Sequence, residues 1–228
     1  IKNIVGQPFG MITGRVQKLS PDGQPVFYSD GRPVGSPDYQ IIGNGIAKLT
    51  GGLTNAFNYK GIDLSFLVDF KWGGDILSGT NMRLTQWGLS KQSLQGREGE
   101  APLTVTGVTQ EGTGYKPFTK TLTPREAYDY WNSVGGEADA VTPMFLYDAS
   151  FIKLRQLTLG YTFPKKLLEK TPLQNLSISF VGRNLAILFK NIDNVDPESN
   201  YANGNSQGFD YFGFPSTRSY GFNLRATF

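Results

Sequence analysis

The strongest constraint on this chain is the alternation of apolar and polar side chains in segments of about ten residues. In Ile62–Trp72, apolar and aromatic side chains occupy every second position, and the positions between them are polar except Leu67. A period of two predicts a β-strand with one apolar and one polar face. A tilted strand of about 9 to 11 residues is also long enough to cross the hydrocarbon layer of a membrane.

Further strands are predicted on both sides of this segment. Leu49–Tyr59 alternates more weakly, and only Lys60 and Gly61 separate it from Ile62–Trp72, which predicts a tight hairpin. The same alternation predicts strands at residues 150–163, 175–189 and 219–228. A sixth, poorly patterned strand is expected at residues 9–19, before a stretch rich in Pro, Gly and Asp at residues 20–37.

One strand carries charges on its apolar side. In residues 150–163, Lys153 and Arg155 share the parity of Leu157, Leu159 and Tyr161. This end of the strand must therefore leave the hydrocarbon layer or contain a β-bulge, which reverses the parity.

The connections between these strands alternate in length. Those at residues 60–61 and 164–174 are short, whereas those at residues 73–149 and 190–217 are long. An up-and-down barrel of the bacterial outer membrane has this pattern, with short periplasmic turns and long outer loops. The longest loop contains a capping box at residues 123–126, which predicts one short helix over residues 127–132 that ends at Gly135 and Gly136.

The pattern thus predicts an all-β fold, an antiparallel transmembrane barrel whose outer loops hold that helix. Six candidate strands are too few to close a barrel, because single-chain bacterial barrels need at least about 8. The chain begins at Ile1 with no signal-peptide pattern after it, so we expect the missing strands and the targeting signal to lie upstream. On this interpretation, residues 1–228 are the C-terminal portion of one barrel domain.

Composition excludes several classes of function. The chain contains no Cys and no His, which excludes disulfides, thiolate or imidazole metal sites, and Cys or Ser/His/Asp catalysis. The net charge is +3, and the basic residues are scattered along the chain without a basic block, so nucleic acid is not an expected partner. No run approaches the roughly 20 apolar residues of a spanning helix, which excludes helical insertion but not a barrel.

Alternation also fits a soluble sandwich, whose apolar faces meet in a dry core. Aromatic residues at strand ends favour a membrane barrel, because they match the girdles at the lipid interface; they are Tyr59, Trp72, Tyr161 and Phe163. Two rivals stay open at this point. One is a passive porin or an adhesin barrel; the other is a soluble carbohydrate-binding or glycoside-cleaving β-protein, with Asp63 and Asp69 as paired carboxylates.

Several motifs carry a family resemblance. Residues 148–164, DASFIKLRQLTLGYTFP, resemble a hallmark of SusC/RagA-type TonB-dependent transporters, and the resemblance continues through GRNL at 182–185, NVDPES at 194–199 and PSTRSYGFNL at 215–224. VGQPFG at 5–10, IGN at 42–44 and FNYKGIDLSF at 57–66 are similar to more loosely kept segments. The resemblance covers most of the chain except residues 76–141.

The resemblance implies a plugged barrel of about 22 strands, with the plug and the TonB-contacting segment N-terminal to these residues. It implies import of oligosaccharides or peptides across the bacterial outer membrane, energised through TonB, with a SusD-like surface lipoprotein as partner. No covalent chemistry, cofactor or metal is implied, so the chain is not expected to be an enzyme. An assembly signal is implied at the C-terminal strand, in Tyr220, Phe222, Leu224, Ala226 and Phe228.

Three further groups of residues are candidate site residues. Aromatic side chains of the long loop are candidates for contact with substrate or a lid, although packing of the loop on itself is the simpler interpretation; they are Trp87, Tyr115, Tyr128 and Trp131. Charged residues of the polar strand faces are candidates for the lumen; they are Asp63, Asp69, Lys71, Arg183 and Arg225. Asp193, Asp196 and Glu198 would suit Ca²⁺, but their spacing favours a solvated turn held by Pro197.

Overall fold

The computed structural model describes residues 1–136, 139–199 and 207–228. Most of its regular structure is β-strand. The strands are Met11–Gln17 (β1), Val26–Phe27 (β2), Gly35–Asn44 (β3), Leu49–Tyr59 (β4), Ile62–Trp72 (β5), Asp75–Ser78 (β6), Thr104–Glu111 (β7), Gly114–Thr121 (β8), Leu146–Asp148 (β9), Phe151–Thr162 (β10), Asn175–Lys190 (β11), Phe209–Asp210 (β12) and Ser219–Thr227 (β13). The α-helices are Gly79–Gln86 (α1), Pro124–Val134 (α2) and Lys165–Leu168 (α3), and short 3₁₀ helices lie at Gln92–Leu94 and Thr142–Phe145.

The chain divides into two compact units. We call the first the mixed unit; it contains Ile1–Ile46, Asp75–Tyr147 and the described residues of 200–213. We call the second the strand unit; it contains Ala47–Gly74, Asp148–Ser199 and Phe214–Phe228.

The strand unit is one antiparallel sheet in the order β13-β11-β10-β5-β4. The predicted hairpin between β4 and β5 is confirmed, with Tyr59 opposite Ile62. Its two turn residues, Lys60 and Gly61, have φ of 48° and 84°, the left-handed values that a two-residue turn requires. Within the described residues, β4 and β13 are open edges, so these strands form no closed barrel.

The mixed unit contains three small sheets. β1 pairs with β3, β7 and β8 form a hairpin extended by β2, and β6 lies between β12 and β9. Its core is a cluster of buried apolar side chains; they are Ile12, Phe27, Leu77, Leu103, Val105, Leu122, Ala127, Trp131, Val134 and Phe145. This cluster shows that the long segment after β5 folds around an apolar core.

The helix predicted from the capping box is confirmed as α2. Thr123 accepts a hydrogen bond from the backbone N–H of Glu126, and the Glu126 side chain accepts one from the N–H of Thr123. Pro124 occupies the first turn, where its missing N–H costs nothing, and Gly135 is the C-cap. Ala127, Trp131 and Val134 form the buried face of the helix.

Other expectations were confirmed only in part. Residues 73–149 were expected to form a loop with one short helix, but they contain α1, α2 and the β7–β8 hairpin, and α3 follows β10. The strand expected at residues 9–19 is confirmed as β1, with narrower bounds, and residues 20–37 contain β2 and the start of β3. Of the long connection at 190–217, residues 200–206 lie outside the described residues. Among the helices that the structure describes, none is long and apolar enough to span a membrane.

Candidate functional site

The sheet of the strand unit exposes its apolar face. In β13, Tyr220, Phe222 and Leu224 are 63%, 76% and 71% exposed. The face continues across neighbouring strands through exposed side chains that share the same register; they are Ile178, Leu159, Ile62, Phe57, Leu53 and Leu49. A soluble monomer rarely exposes so extended an apolar surface, so this face fits a hydrocarbon environment.

Aromatic side chains mark both ends of this face. Tyr59 and Tyr161 lie opposite Ile62 at one end, and Trp72 stacks on Phe189 at the other, with ring centroids 6.1 Å apart. Ten residue steps along β5 span about 33 Å, at roughly 3.3 Å per residue. At a strand tilt of about 40°, this corresponds to a band about 25 Å tall, the height of the apolar band of outer-membrane barrels.

The opposite face of the sheet is polar. The register places on it all five residues predicted for the lumen; they are Asp63, Asp69, Lys71, Arg183 and Arg225. Arg183 lies opposite Ser219, and Arg225 lies opposite Ser177. Sharing one face is what a lumen-facing role requires, while the lumen itself stays a prediction.

A β-bulge in β10 explains why the charged residues Lys153 and Arg155 alternate in step with the apolar residues of this strand. Against β5, Leu154 pairs with Val68 and Gln156 pairs with Leu67, so Arg155 is the extra residue. The insertion reverses the parity upstream and moves Lys153 to the polar face, opposite Asp69. Of the two alternatives left by the sequence, the structure contains the bulge.

The bulge creates an ion-pair network on the polar face. Lys153 Nζ lies 2.6 Å from Asp196 Oδ1 and 2.5 Å from Glu198 Oε2, and the Lys153 side chain is only 2% exposed. Arg155 donates to both Glu198 oxygens, at 2.9 and 2.5 Å, and to Asp69 Oδ2 at 2.6 Å. The network therefore fastens the segment after β11 to β10 and β5.

A second segment joins the network through Asp196. Its Oδ2 accepts hydrogen bonds from the backbone N–H and the hydroxyl of Ser216, at 3.0 and 2.5 Å. Burial raises the pKa of Asp196, but hydrogen bonds from Lys153 and Ser216 outweigh burial and hold the pKa below its usual value. Burial likewise raises the pKa of Glu198, but hydrogen bonds from Arg155 and Lys153 lower it by more. The pKa of Glu198 is therefore below its usual value.

The solvated turn expected at the acidic cluster is therefore a wrong interpretation. A turn is present, since Ser199 N–H donates to the carbonyl of Asp196, but Asp196 is buried and neutralised by Lys153. Asp193 is exposed. The described residues contain no group of three or more His, Cys, Asp or Glu that could hold a metal ion.

Asp63 and Asp69 are not arranged for glycoside cleavage. They lie six residues apart on β5, which is about 20 Å along a strand. Acid and base carboxylates of glycosidases lie about 5 to 9.5 Å apart. Asp69 is paired with Arg155, and Asp63 accepts hydrogen bonds from Asn58 and Thr162.

Three of the four loop aromatics line one cavity of the mixed unit. Trp87, Tyr128 and Trp131 surround a cavity of about 500 Å³ between the end of α1, residues 88–98 and α2. Trp131 is buried, and its Nε1–H donates to the Gln95 carbonyl at 2.9 Å. Tyr115 lies elsewhere, on β8, with Lys18 Nζ 5.9 Å from its ring centroid.

Two features of these sites could not be singled out from the sequence. The partners of Lys153 are more than 40 residues away along the chain, although the displaced parity of Lys153 was a signal. Phe212 stacks on Trp87, with centroids 6.2 Å apart and planes at 17°, and carried no signal in its local pattern.

The sheet of the strand unit is open and antiparallel, with an exposed apolar face, aromatic ends and a charged opposite face. These features are those of strands in the walls of outer-membrane barrels. No family model matches the sequence. The chain is 29% identical over 202 residues to TonB-dependent receptor P3 of Formosa agariphila (strain DSM 15362), covering 86% of the chain and 18% of that protein. It is 28% identical over 181 residues to TonB-dependent receptor P39 of the same organism, covering 78% and 16%.

Solved structures show the same likeness in fold. The chain matches the RagAB peptide importer in its closed-closed state with a TM-score of 0.55 and 17% identity, covering 96% of the chain and 21% of that chain. The open-open state matches with a TM-score of 0.56 and 14% identity, covering 96% and 22%. These matches confirm the resemblance to TonB-dependent, RagA-like receptors. The chain spans less than a fifth of the length of the curated relatives it matches.

Proposed function

We propose that these residues form part of the wall of a TonB-dependent transporter of the bacterial outer membrane, which imports oligosaccharides or peptides. The observation that carries the proposal is the exposed apolar face of the strand unit, which is bounded by aromatic residues at both ends. The similarity to TonB-dependent receptors supports the same conclusion independently.

In this mechanism the protein performs no covalent chemistry. Outer loops and a lid capture the substrate, and energy relayed by TonB displaces a plug so that the substrate passes the barrel. A SusD-like surface lipoprotein is the proposed lid, with outer-membrane lipid around the wall. The relatives support a non-enzymatic role because they are named as receptors and importers.

The five charged residues of the polar face are proposed to face the lumen. Asp69 contributes to the ion-pair network, which would hold the segments at Glu198 and Ser216 in place during plug movement. Arg183 and Arg225 are exposed on the same face and would contact the substrate path or the plug.

The final strand is proposed to carry the assembly signal. The apolar positions of β13, an edge strand among the described residues, and of the residue after it are exposed and therefore accessible to assembly machinery; they are Tyr220, Phe222, Leu224, Ala226 and Phe228. Deleting Phe228 from the full-length protein should reduce its folded amount in the outer membrane, measured by heat-modifiable gel mobility. Unchanged folding would exclude this role.

Cell fractionation tests location, and uptake tests function. The full-length protein should be recovered in the outer-membrane fraction and should require detergent for extraction. Deleting its gene should stop growth on one glycan or peptide source while growth on monomers continues, and deleting TonB should have the same effect. Recovery in the soluble fraction would overturn the barrel, and uptake independent of TonB would favour a passive porin.

A further inference from the structure

We propose that the cavity lined by Trp87, Tyr128 and Trp131 binds a neutral oligosaccharide, with Trp87 as the stacking platform. This inference rests on the proposed import function and names a substrate class and a site for it. The cavity volume of about 500 Å³ lies within the range of roughly 300 to 1,000 Å³ that is usual for small-ligand sites.

The end of α1 fixes the position of Trp87. The N–H of Leu89 donates to the carbonyl of Leu84, and the N–H of Gly88 donates to that of Thr85, which together form a Schellman motif. Gly88 has a φ of 71°, the left-handed conformation that this motif requires at its position. Trp87 is the C-cap residue, so the motif determines where its side chain leaves the helix.

One face of the Trp87 ring is supported by Phe212, which stacks on it. Phe212 has a φ of 50°, a conformation that costs an aromatic residue energy, and its N–H donates to Thr80 Oγ1 at 2.7 Å. Strained residues of this kind concentrate at ligand sites, where surrounding contacts hold them. Trp87 remains 57% exposed, so it is an ordered ring with surface left for a ligand.

The other walls of the cavity are equally ordered. Tyr128 lies one helical turn before Trp131 on α2 and is 52% exposed. Arg97 donates to the carbonyls of Ser93 and Gly88 and thereby ties residues 88–98 into one wall. A site held in place before binding loses little conformational entropy when a ligand enters.

The chemistry of the lining favours a sugar. Flat aromatic faces suit the C–H faces of a pyranose ring, and the polar lining suits hydroxyl groups, with amides from Gln86 and Gln95 and one charge of each sign from Arg97 and Glu98. Balanced charge favours a neutral ligand over an ionic one. Extended peptides commonly bind by pairing with a strand edge, whereas the described lining lies in helices and turns.

The test uses the full-length receptor in detergent, titrated calorimetrically with neutral hexasaccharides from glucan, mannan, xylan and galactan, and with a mixture of peptides. Trp87→Ala should weaken the binding of at least one hexasaccharide about tenfold, which corresponds to about 1.4 kcal/mol. Trp87→Phe should restore most of it, because a ring is retained. Tyr39→Ala is the matched control, since it removes an exposed aromatic residue of β3 outside the cavity and should change nothing.

Each outcome decides the inference. Weaker hexasaccharide binding in Trp87→Ala, with Tyr39→Ala unchanged, supports it. Binding of peptides alone, binding of no probe, or equal effects of both variants overturns it. Uptake by cells is measured in parallel: TonB-dependent uptake that Trp87→Ala leaves unchanged contradicts the site and leaves the proposed function intact. Loss of outer-membrane location in the wild type would contradict the proposed function itself.

Discussion

The two units of this chain differ in how far they bury their large apolar side chains. The mixed unit buries an apolar cluster around Phe145 and Val134, which are both fully buried. The strand unit leaves many of its large apolar side chains exposed, and the largest side chain that it fully buries is Lys153. The first arrangement is that of a protein folded in water, and the second is that of a wall between lipid and a polar space. On the proposed function, one chain therefore carries elements suited to water and elements suited to lipid.

The largest expected effect compares two phenylalanines. Phe145→Ala should destabilise the mixed unit by about 3 to 5 kcal/mol, because it leaves a cavity in a dry core. Phe222→Ala should change stability far less, since Phe222 is 76% exposed. Hydrogen exchange of α2 and of β11 in the full-length protein measures both effects. Equal losses of protection would abolish the contrast between the units.

Breaking the ion-pair network should be nearly as costly. Lys153→Met leaves the buried Asp196 without its cation, for which the expected cost is about 3 to 5 kcal/mol. Hydrogen exchange over residues 191–199 should accelerate accordingly. The control is Arg125→Ala, which removes an exposed pair with Asp129 and should cost no more than about 1 kcal/mol. A small effect of Lys153→Met would mean that the network does not fasten this segment.

The sequence predicted the strand unit better than the mixed unit. The long strands were predicted because a sheet with one apolar face must alternate, as Ile62–Trp72 does. The β7–β8 hairpin was missed because Thr, Gly and Lys dominate it and Pro117 interrupts its second strand. Capping chemistry predicted α2 because its signal lies within four residues, whereas the partners of Lys153 come from distant segments.

Removing the α2 cap should have a moderate, local effect. Thr123→Ala removes the acceptor for the Glu126 N–H and should cost about 1 kcal/mol. Exchange should increase in the first turn of α2 and leave the strand unit unchanged. Thr113→Ala, in the exposed turn between β7 and β8, is the matched control. A uniform change over both units would show that they unfold together.

The smallest effect is expected from pH near neutrality. The pKa values of Asp196 and Glu198 lie below their usual values of 3.8 and 4.5. A carboxyl group whose pKa is lowered by folding stabilises the folded state at pH values above its usual pKa. This contribution is lost as the pH falls through the pKa that the group has in the folded state. Proteolysis of residues 191–199 should therefore be constant between about pH 5 and 8 and increase only below about pH 4. A transition near pH 6 would contradict this assignment.

The most direct test of the membrane wall compares adjacent positions of β13. The 228 residues contain no Cys, so Phe222→Cys and Asn223→Cys each introduce a unique labelling site in this part of the protein. Spin labels are attached to the full-length receptor in lipid bilayers, and their access to oxygen and to a water-soluble nickel complex is measured. Collisions with oxygen should speed the relaxation of the label at 222 more than collisions with nickel do. For the label at 223, nickel should have the larger effect. Equal access to nickel at both positions would contradict a lipid-facing sheet.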